Sequence, residues 1–551
     1  MPRLKTTCLL IVTFVLMATP AARAQTSDLA ARLPADTLLY MYWRGADSLK
    51  PGSKNSLVSL WNDPGFQPMR QWIVQGLVEA TARNPQLSQV RRKDIEALLA
   101  DPFVFGIRLA TQGSSAPTGP TTTASGFLVV QMEGKTGQEL RADLQKNPKS
   151  MTNVRFTRSG LLLASGNPAT LRALARQFGS GPAGSKSLST LAAFAEARAE
   201  ITGQPPIEFF MRVPEASSLA PRKAPGFDTK AFLQSLNLQR IHLLCGSIDL
   251  NEPSAFIHFA ILGNPSPGGL FDLFGANVSS FQTLAAAPAG ASIIVSRLNI
   301  GAVLFLFTNA FSAALGPDRA ARLEMISGLL SSTVMPALGG EYAMIWPRLT
   351  AGEGSSLLAL TVNPLPAASL FSTTLAPFLQ PAGQEGEIRY FRVAGRSTGA
   401  APGGAQDKSS PAGAKPAAAP QSMLLALTPH VVLIGRNEAL LRRGARAVTA
   451  AAPATGLAAT ASFRAARAEL PAQLSGLSYL DMQTFNWTKW LERMAARMAQ
   501  NQKNPRAAER GAALDQWAKA GGGAVLARHV HLIFSGAWKD GQGVHWRGDV
   551  H

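Results

Sequence analysis

A chain of 551 residues carries 53 Lys and Arg against 34 Asp and Glu, a formal charge of +19, and only two cysteines. That length is more than one hydrophobic core usually serves and enough for two. Two cysteines exclude a disulfide-stapled scaffold, and basic residues scattered without long runs argue about solubility rather than about a specific polyanion site.

Arg3 and Lys5 precede an uncharged run from Cys8 to Ala18, Thr19-Pro20 breaks it, and Ala22-Arg23-Ala24 supplies small residues at −3 and −1. This is the pattern of a secretory signal over residues 1–24, with cleavage expected after Ala24. The run is too short to span a bilayer comfortably, so a periplasmic or secreted protein, not integral to the membrane, is expected. Nucleic acid is then excluded as a partner. Cleavage also removes Cys8, leaving Cys245 as the sole thiol, in the strand-like run Ile241–Cys245 where it reads as a small buried hydrophobe.

The mature chain opens on Leu33-Pro34-Ala35-Asp36-Thr37, leading into a strand over 37–44. Asp63-Pro64 then starts a helix with Phe66, Met69, Ile73 and Leu77 on one face. Strands follow at Phe103–Ile107 and Phe127–Val130, separated by a polar insert over 111–124. A helix with Leu140 and Leu144 leads to a hairpin, Val154–Thr157 and Leu161–Ala164, and Asn167-Pro168 begins another helix with Leu171, Leu174 and Phe178 inward. A strand near Ile207 and a closing hairpin from Ile241 complete the set.

The second half repeats this grammar. Ala287–Ile294 stands for the opening, Tyr342–Trp346 and Leu357–Leu360 for the first two inner strands, and Val431–Arg442 aligns without a gap to Leu161–Arg172. Leu477–Met482 and a hairpin from Val530 close it. Five ordered matches after the opening indicate a degenerate tandem duplication: a first α+β copy over 25–270 and a second over 271–551. The Ala/Gly/Pro/Ser-rich stretch 396–421 is expected to be a disordered insert in the second. Strands in series without regular strand–helix alternation predict α+β halves, each an antiparallel or mixed sheet with helices on one face. The Leu-Pro-Ala-Asp-Thr opening, the Leu161–Ser165 motif and the duplicated layout resemble a family of exported bacterial proteins grouped as a domain of unknown function. That resemblance implies export and this architecture and brings no active site with it.

No nucleophile elbow, zinc-protease helix, Cys-x-x-Cys pair or dinucleotide loop occurs, and no cofactor is expected. Four of the seven histidines, His529, His531, His545 and His551, fall near the end. A three-residue loop at Asp540-Gly541 would set Val530, Leu532 and Phe534 opposite Val550, Gly548 and Trp546. The other face would carry those histidines with Arg547 and Asp549. His529, His531, His551 and Asp549 are then zinc-ligand candidates, against the commoner alternative of a solvated strand face that a one-residue slip would scatter. The uncharged segment 298–315, interrupted by Asn299, Thr308, Asn309 and Ser312, reads as a buried helix rather than a membrane span.

On a helix near the end, Trp487, Trp490, Leu491, Met494 and Met498 form one stripe and Lys489, Arg493 and Arg497 another. A core-packed helix with Trp490 inside is expected; contact with an anionic membrane or a partner is the competing use. The functional reading is an exported, non-enzymatic binding or structural protein of the cell envelope whose partner is an unknown envelope component or protein. A peripheral membrane or lipid-associated protein, and a hydrolase with a site between the halves, are the alternatives. A continuous exposed apolar patch favours the former and a cluster of acidic and histidine residues the latter.

Overall fold

A computed structural model of the chain describes residues 29–45, 53–82, 101–112, 121–132, 138–139, 141–142, 154–179, 187–201, 203, 205–213, 228–250, 254–264, 269–315, 317–348, 356–393, 423–450, 456–500 and 505–551. The signal segment 1–24, the insert 396–421 and the helical positions Leu140 and Leu144 lie outside the described residues.

The strands in chain order are β1 (Thr37–Trp43), β2 (Phe103–Gln112), β3 (Thr121–Gln131), β4 (Val154–Phe156), β5 (Leu161–Ser165), β6 (Ile207–Arg212), β7 (Ile241–Asp249), β8 (Ala255–Gly263), β9 (Ser292–Arg297), β10 (Leu338–Trp346), β11 (Leu357–Val362), β12 (Leu379–Glu385), β13 (Ile388–Val393), β14 (Leu424–Leu427), β15 (Val431–Gly435), β16 (Gly476–Asp481), β17 (Leu532–Lys539) and β18 (Gly543–Val550). Alternating or continuous apolar runs rich in Leu, Ile, Val and Phe account for nearly all of them. The expected polar insert over 111–124 is in part strand, because β2 and β3 stay paired out to Gln112 opposite Thr121.

The α+β class holds, but the expectation of two halves with a sheet each does not: β17 and β18, which belong to the expected second copy, lie in the antiparallel sheet of the first. The physical reason is visible at the closing hairpins. A strand that ends a sheet leaves a row of unpaired N–H and C=O groups. β8 does not end one, since β18 lies along it with eight residue pairs, from Gly543 opposite Leu262 to Val550 opposite Ala255.

Contacts divide the described chain into two compact units. One holds the residues up to Phe271 with Asn309–Gly316 and Phe485–His551. Its strands run β4–β5–β3–β2–β1–β6–β7–β8–β18–β17. Helices cover both faces, not one. Tyr40, Val129, Leu163, Phe210 and Leu243 form a core with the helices Pro168–Gly179 and Ala192–Glu200. Trp43, Phe103, Val130 and Ile207 pack on the other side with Phe66, Leu491, Trp517 and Val525. Of the predicted inward residues, Phe66, Met69, Ile73, Leu171, Leu174 and Phe178 are buried, and the side chain of Leu77 lies outside what the structure describes.

The other unit holds Asp272–Thr308 and Pro317–Thr484, with strands in the order β12–β13–β14–β15–β11–β10–β9–β16. The order β5–β3–β2–β1–β6 of the first unit recurs here as β15–β11–β10–β9–β16. Arg392 pairs with Leu424, and the Val393 N–H donates to Met423 O at 2.9 Å, so the two ends of the connection that contains 396–421 are neighbours. Deleting the middle of 396–421 should therefore leave stability within about 1 kcal/mol, because closure entropy changes slowly with loop length. A denaturant midpoint checks this, and a collapse would show that the segment packs.

The segment expected to be a buried helix forms the helix Ile300–Ala314, but only Leu306, Thr308, Ala310 and Ala314 on it are buried. Phe305, Phe307 and Phe311 are exposed.

Candidate functional site

The histidine expectation rested on one hairpin register, and the hairpin adopts another. Gly548 lies opposite Ser535 rather than Leu532, and Asp549 opposite Phe534. His529 is not on a strand at all: it closes the helix Gly523–His529 and places Nε2 2.9 Å from Asp63 Oδ2. His531 donates its backbone N–H to His551 O at 2.6 Å. Asp549 is buried opposite Phe256 and Phe534. These four residues are thus dispersed over a helix end, a backbone bridge and a buried strand position.

Asp63 has its own consequence. Hydrogen bonding from His529 outweighs the opposing effect of burial, Gly65 N–H and Arg528 add to it, and the carboxyl is held down at about 2 against an ordinary 3.8. A depressed folded-state value stabilises fully above the unfolded value and is lost as pH falls through the folded one. Asp63→Asn should therefore lower stability at pH 7 by something on the order of 2 kcal/mol, and the gap from wild type should close between pH 4 and pH 2. Urea midpoints across that range provide the measurement, and a gap independent of pH would refute it.

A different set of groups converges in the first unit. Among the described residues, Glu200, His258 and His545 each bring a ligand-type atom within 4.8 Å of the others. Glu200 is the last residue of the helix Ala192–Glu200, which packs over β7. His258 is on β8 and His545 on β18; they sit diagonally across that pairing, since Ala260 faces His545 and His258 faces Arg547. The two rings are parallel within 6° at 6.2 Å, and Trp538, directly across from His545, stacks on it at 5.3 Å.

Glu200 Oε2 lies 3.2 Å from His545 Nδ1 and 3.9 Å from His258 Nε2. On its far side, His545 Nε2 is 3.0 Å from Asp540 Oδ2, at ion-pair distance though not in line for a straight hydrogen bond. Asp540 is fixed in the hairpin turn by the Gln542 and Gly543 N–H groups, which donate to its Oδ1 at 2.8 and 3.0 Å. The His545 side chain is only 4% exposed. Burial alone would lower its pKa, but hydrogen bonding to Glu200 and the charges of Glu200 and Asp540 carry it above the ordinary histidine value. His258 moves the opposite way: burial lowers it, and Glu200 offsets only part. Burial would raise Asp540, and the Gln542 N–H and His545 bring it below its usual range.

Cys245 lies beside Ala260, in the row that continues to His545. Burial, with the charges of Glu200 and Glu196, pushes its thiol up to about 12, so it stays protonated in the core. Sequence reasoning noticed His545 but neither His258 nor Glu200. The usable signal was a lone polar residue between Phe256 and Ala260 on one face of an otherwise apolar strand.

The Trp487–Ala499 helix differs from the expected core placement. Its buried residues are Leu491 and Ala495, while Trp490 is 40% exposed and Trp487, Met494 and Met498 are half-buried. The cause is a close helix crossing: a Cβ on Gly511 would stand 2.7 Å from Ala495 O, so two small residues, not the large ones, set the contact face. Phe485, Trp487 and Trp490 stack edge-on beside it, with Lys489, Arg493 and Arg497 exposed.

In the second unit, Met325, Ile326 and Leu329 on the helix Pro317–Thr333 are 70, 52 and 63% exposed, and Phe305 of the preceding helix is 64% exposed. Thr308 Oγ1 ties the two helices by donating to Ser327 Oγ at 3.0 Å. A cavity of about 490 Å³ in the same unit is lined by Phe274, Arg297, Asn299, Met335 and glycines, without a carboxylate, histidine or thiol. Among the described residues no helix is long and apolar enough to cross a membrane. Comparison with known proteins finds no matching family model, no curated relative and no similar solved structure.

Proposed function

We propose that this is an exported, non-enzymatic protein of the cell envelope that binds an anionic lipid surface peripherally. The observation that carries the reading is the exposed apolar face of the helices Ile300–Ala314 and Pro317–Thr333. Met325, Ile326 and Leu329 follow helical spacing on one side, Phe305 is exposed on the preceding helix, and single exposed apolar residues are ordinary whereas three large ones on one side of a helix are not. Arg319 and Arg322, both exposed, stand one turn before them in the same row, and Asp318 precedes these in the first turn, where a carboxylate suits the helix dipole. Apolar side chains at one end and arginines at the other suit an interface whose headgroups are negative. The exposed Trp490 with Lys489, Arg493 and Arg497 supports the same reading independently. The signal-like segment 1–24 supports export, and the recurring strand order supports a tandem duplication of the kind the resemblance implies.

Flotation of the purified protein with phosphatidylglycerol-containing vesicles should recover it with the lipid. Pure phosphatidylcholine should recover little, and added salt should weaken the binding. Met325→Ser with Leu329→Ser should reduce the bound fraction about tenfold or more, since each side chain withdraws apolar area from the bilayer. Its thermal melting should be unchanged, because both side chains are exposed. Equal binding by the double variant would overturn the reading. Self-association abolished by the same variant, with no vesicle binding, would show that the face meets protein instead.

A further inference from the structure

We propose that Glu200, His258 and His545 form a site for one divalent transition ion of the zinc class, with Asp540 as the positioning residue behind His545. Zinc binds imidazole nitrogen and carboxylate oxygen at about 2.0–2.2 Å, which sets neighbouring ligand atoms on a tetrahedral ion roughly 3.3–3.5 Å apart. Glu200 Oε2 stands 3.2 Å from His545 Nδ1 and 3.9 Å from His258 Nε2, so small side-chain adjustments bring all three to one centre. An outer partner stands within reach as well. A ligating histidine usually offers its second ring nitrogen to a carboxylate, which orients the ring, and Asp540 Oδ2 is 3.0 Å from His545 Nε2, so a small turn of that carboxylate brings it into line.

Charge and chemistry point the same way. Glu200 and Asp540 place two carboxylates around one buried imidazole, and a dication matches that pair of charges. Mixed nitrogen and oxygen ligands select zinc-like ions over calcium or magnesium, which take oxygen. Parallel stacking of Trp538, His545 and His258 fixes the ring planes, so the donors are held before any ion arrives. Three protein ligands leave a fourth position for water. This site lies in the first unit and does not depend on the lipid reading, which rests on the second.

The test uses full-length protein without a histidine tag, stripped with chelator and titrated with zinc by calorimetry, with cobalt as a spectroscopic substitute. One equivalent should bind at micromolar or lower zinc, and it should survive gel filtration. His258→Gln should weaken binding at least a hundredfold, and Asp540→Asn about 10–100-fold. His531→Gln, outside the cluster, should match wild type. Absence of a stoichiometric equivalent in wild type, or a His258→Gln protein that binds as wild type does, would overturn the proposal. Should His258→Gln fail to fold, Asp540→Asn carries the comparison, because an asparagine oxygen still accepts from Gln542 and Gly543. Unchanged affinity in that variant would count against the site.

Discussion

Trp517→Ala should lower stability by about 3–5 kcal/mol, the range for truncating a buried aromatic side chain. Trp517 is 6% exposed, meets Phe66 edge-on at 5.7 Å, and donates its indole N–H to Gly65 O at 2.9 Å. It belongs to the helix Pro505–Trp517, yet its partners sit at the start of the chain, in the turn before the helix Gln67–Ala82. Removing it opens a cavity among Trp61, Leu491 and Val525 and leaves the Gly65 carbonyl without its donor. Urea unfolding followed by tryptophan fluorescence and by circular dichroism should show both signals shifted to a lower midpoint. A change under 1 kcal/mol would mean that Phe485–His551 is not built into the first unit's core.

Phe210→Ala should have an effect of the same size, on the opposite face of the sheet. Phe210 is fully buried on β6, stacked on Tyr40 of β1 at 5.4 Å with 15° between the planes, while Phe194 meets its edge at 6.2 Å. Such aromatic pairs contribute beyond their buried area, so the triple contact compounds the cavity term. Phe210→Leu, which refills most of the volume, should recover more than half of the loss. If Phe210→Ala melts like wild type, the helix Ala192–Glu200 does not close that face as described.

Strand and helix positions were readable where the signal is local. Leu161–Ser165 and Val431–Gly435 are short apolar runs, and the helices after them start at Asn167 and Asn437, whose side-chain oxygens accept from Ala169 and Leu440 N–H. Pairing between distant strands leaves no such mark: nothing near Phe256 announces Asp549 as its neighbour. The pairing of β18 with β8 was missed for that reason, and so was the cluster of Glu200, His258 and His545, whose members come from a helix end and two strands far apart in sequence. The Trp490 expectation failed differently. Hydrophobicity ranks tryptophan above alanine, whereas the helix crossing is decided by how closely backbones approach, and Ala495 with Gly511 permits the closest approach.

The pairing of β8 with β18 also governs the order in which the molecule can be finished. Synthesis proceeds from the amino terminus, so Ala255–Gly263 exists long before Gly543–Val550 is made. Throughout that interval one flank of β8 offers unsatisfied backbone groups to any passing strand. The waiting edge has two competing partners: the chain's own terminal hairpin, arriving late, and the terminal hairpin of another copy already complete. Crowded nascent chains would therefore misassemble by exchanging that last hairpin, and a product truncated before Gly543 would keep a permanently adhesive rim.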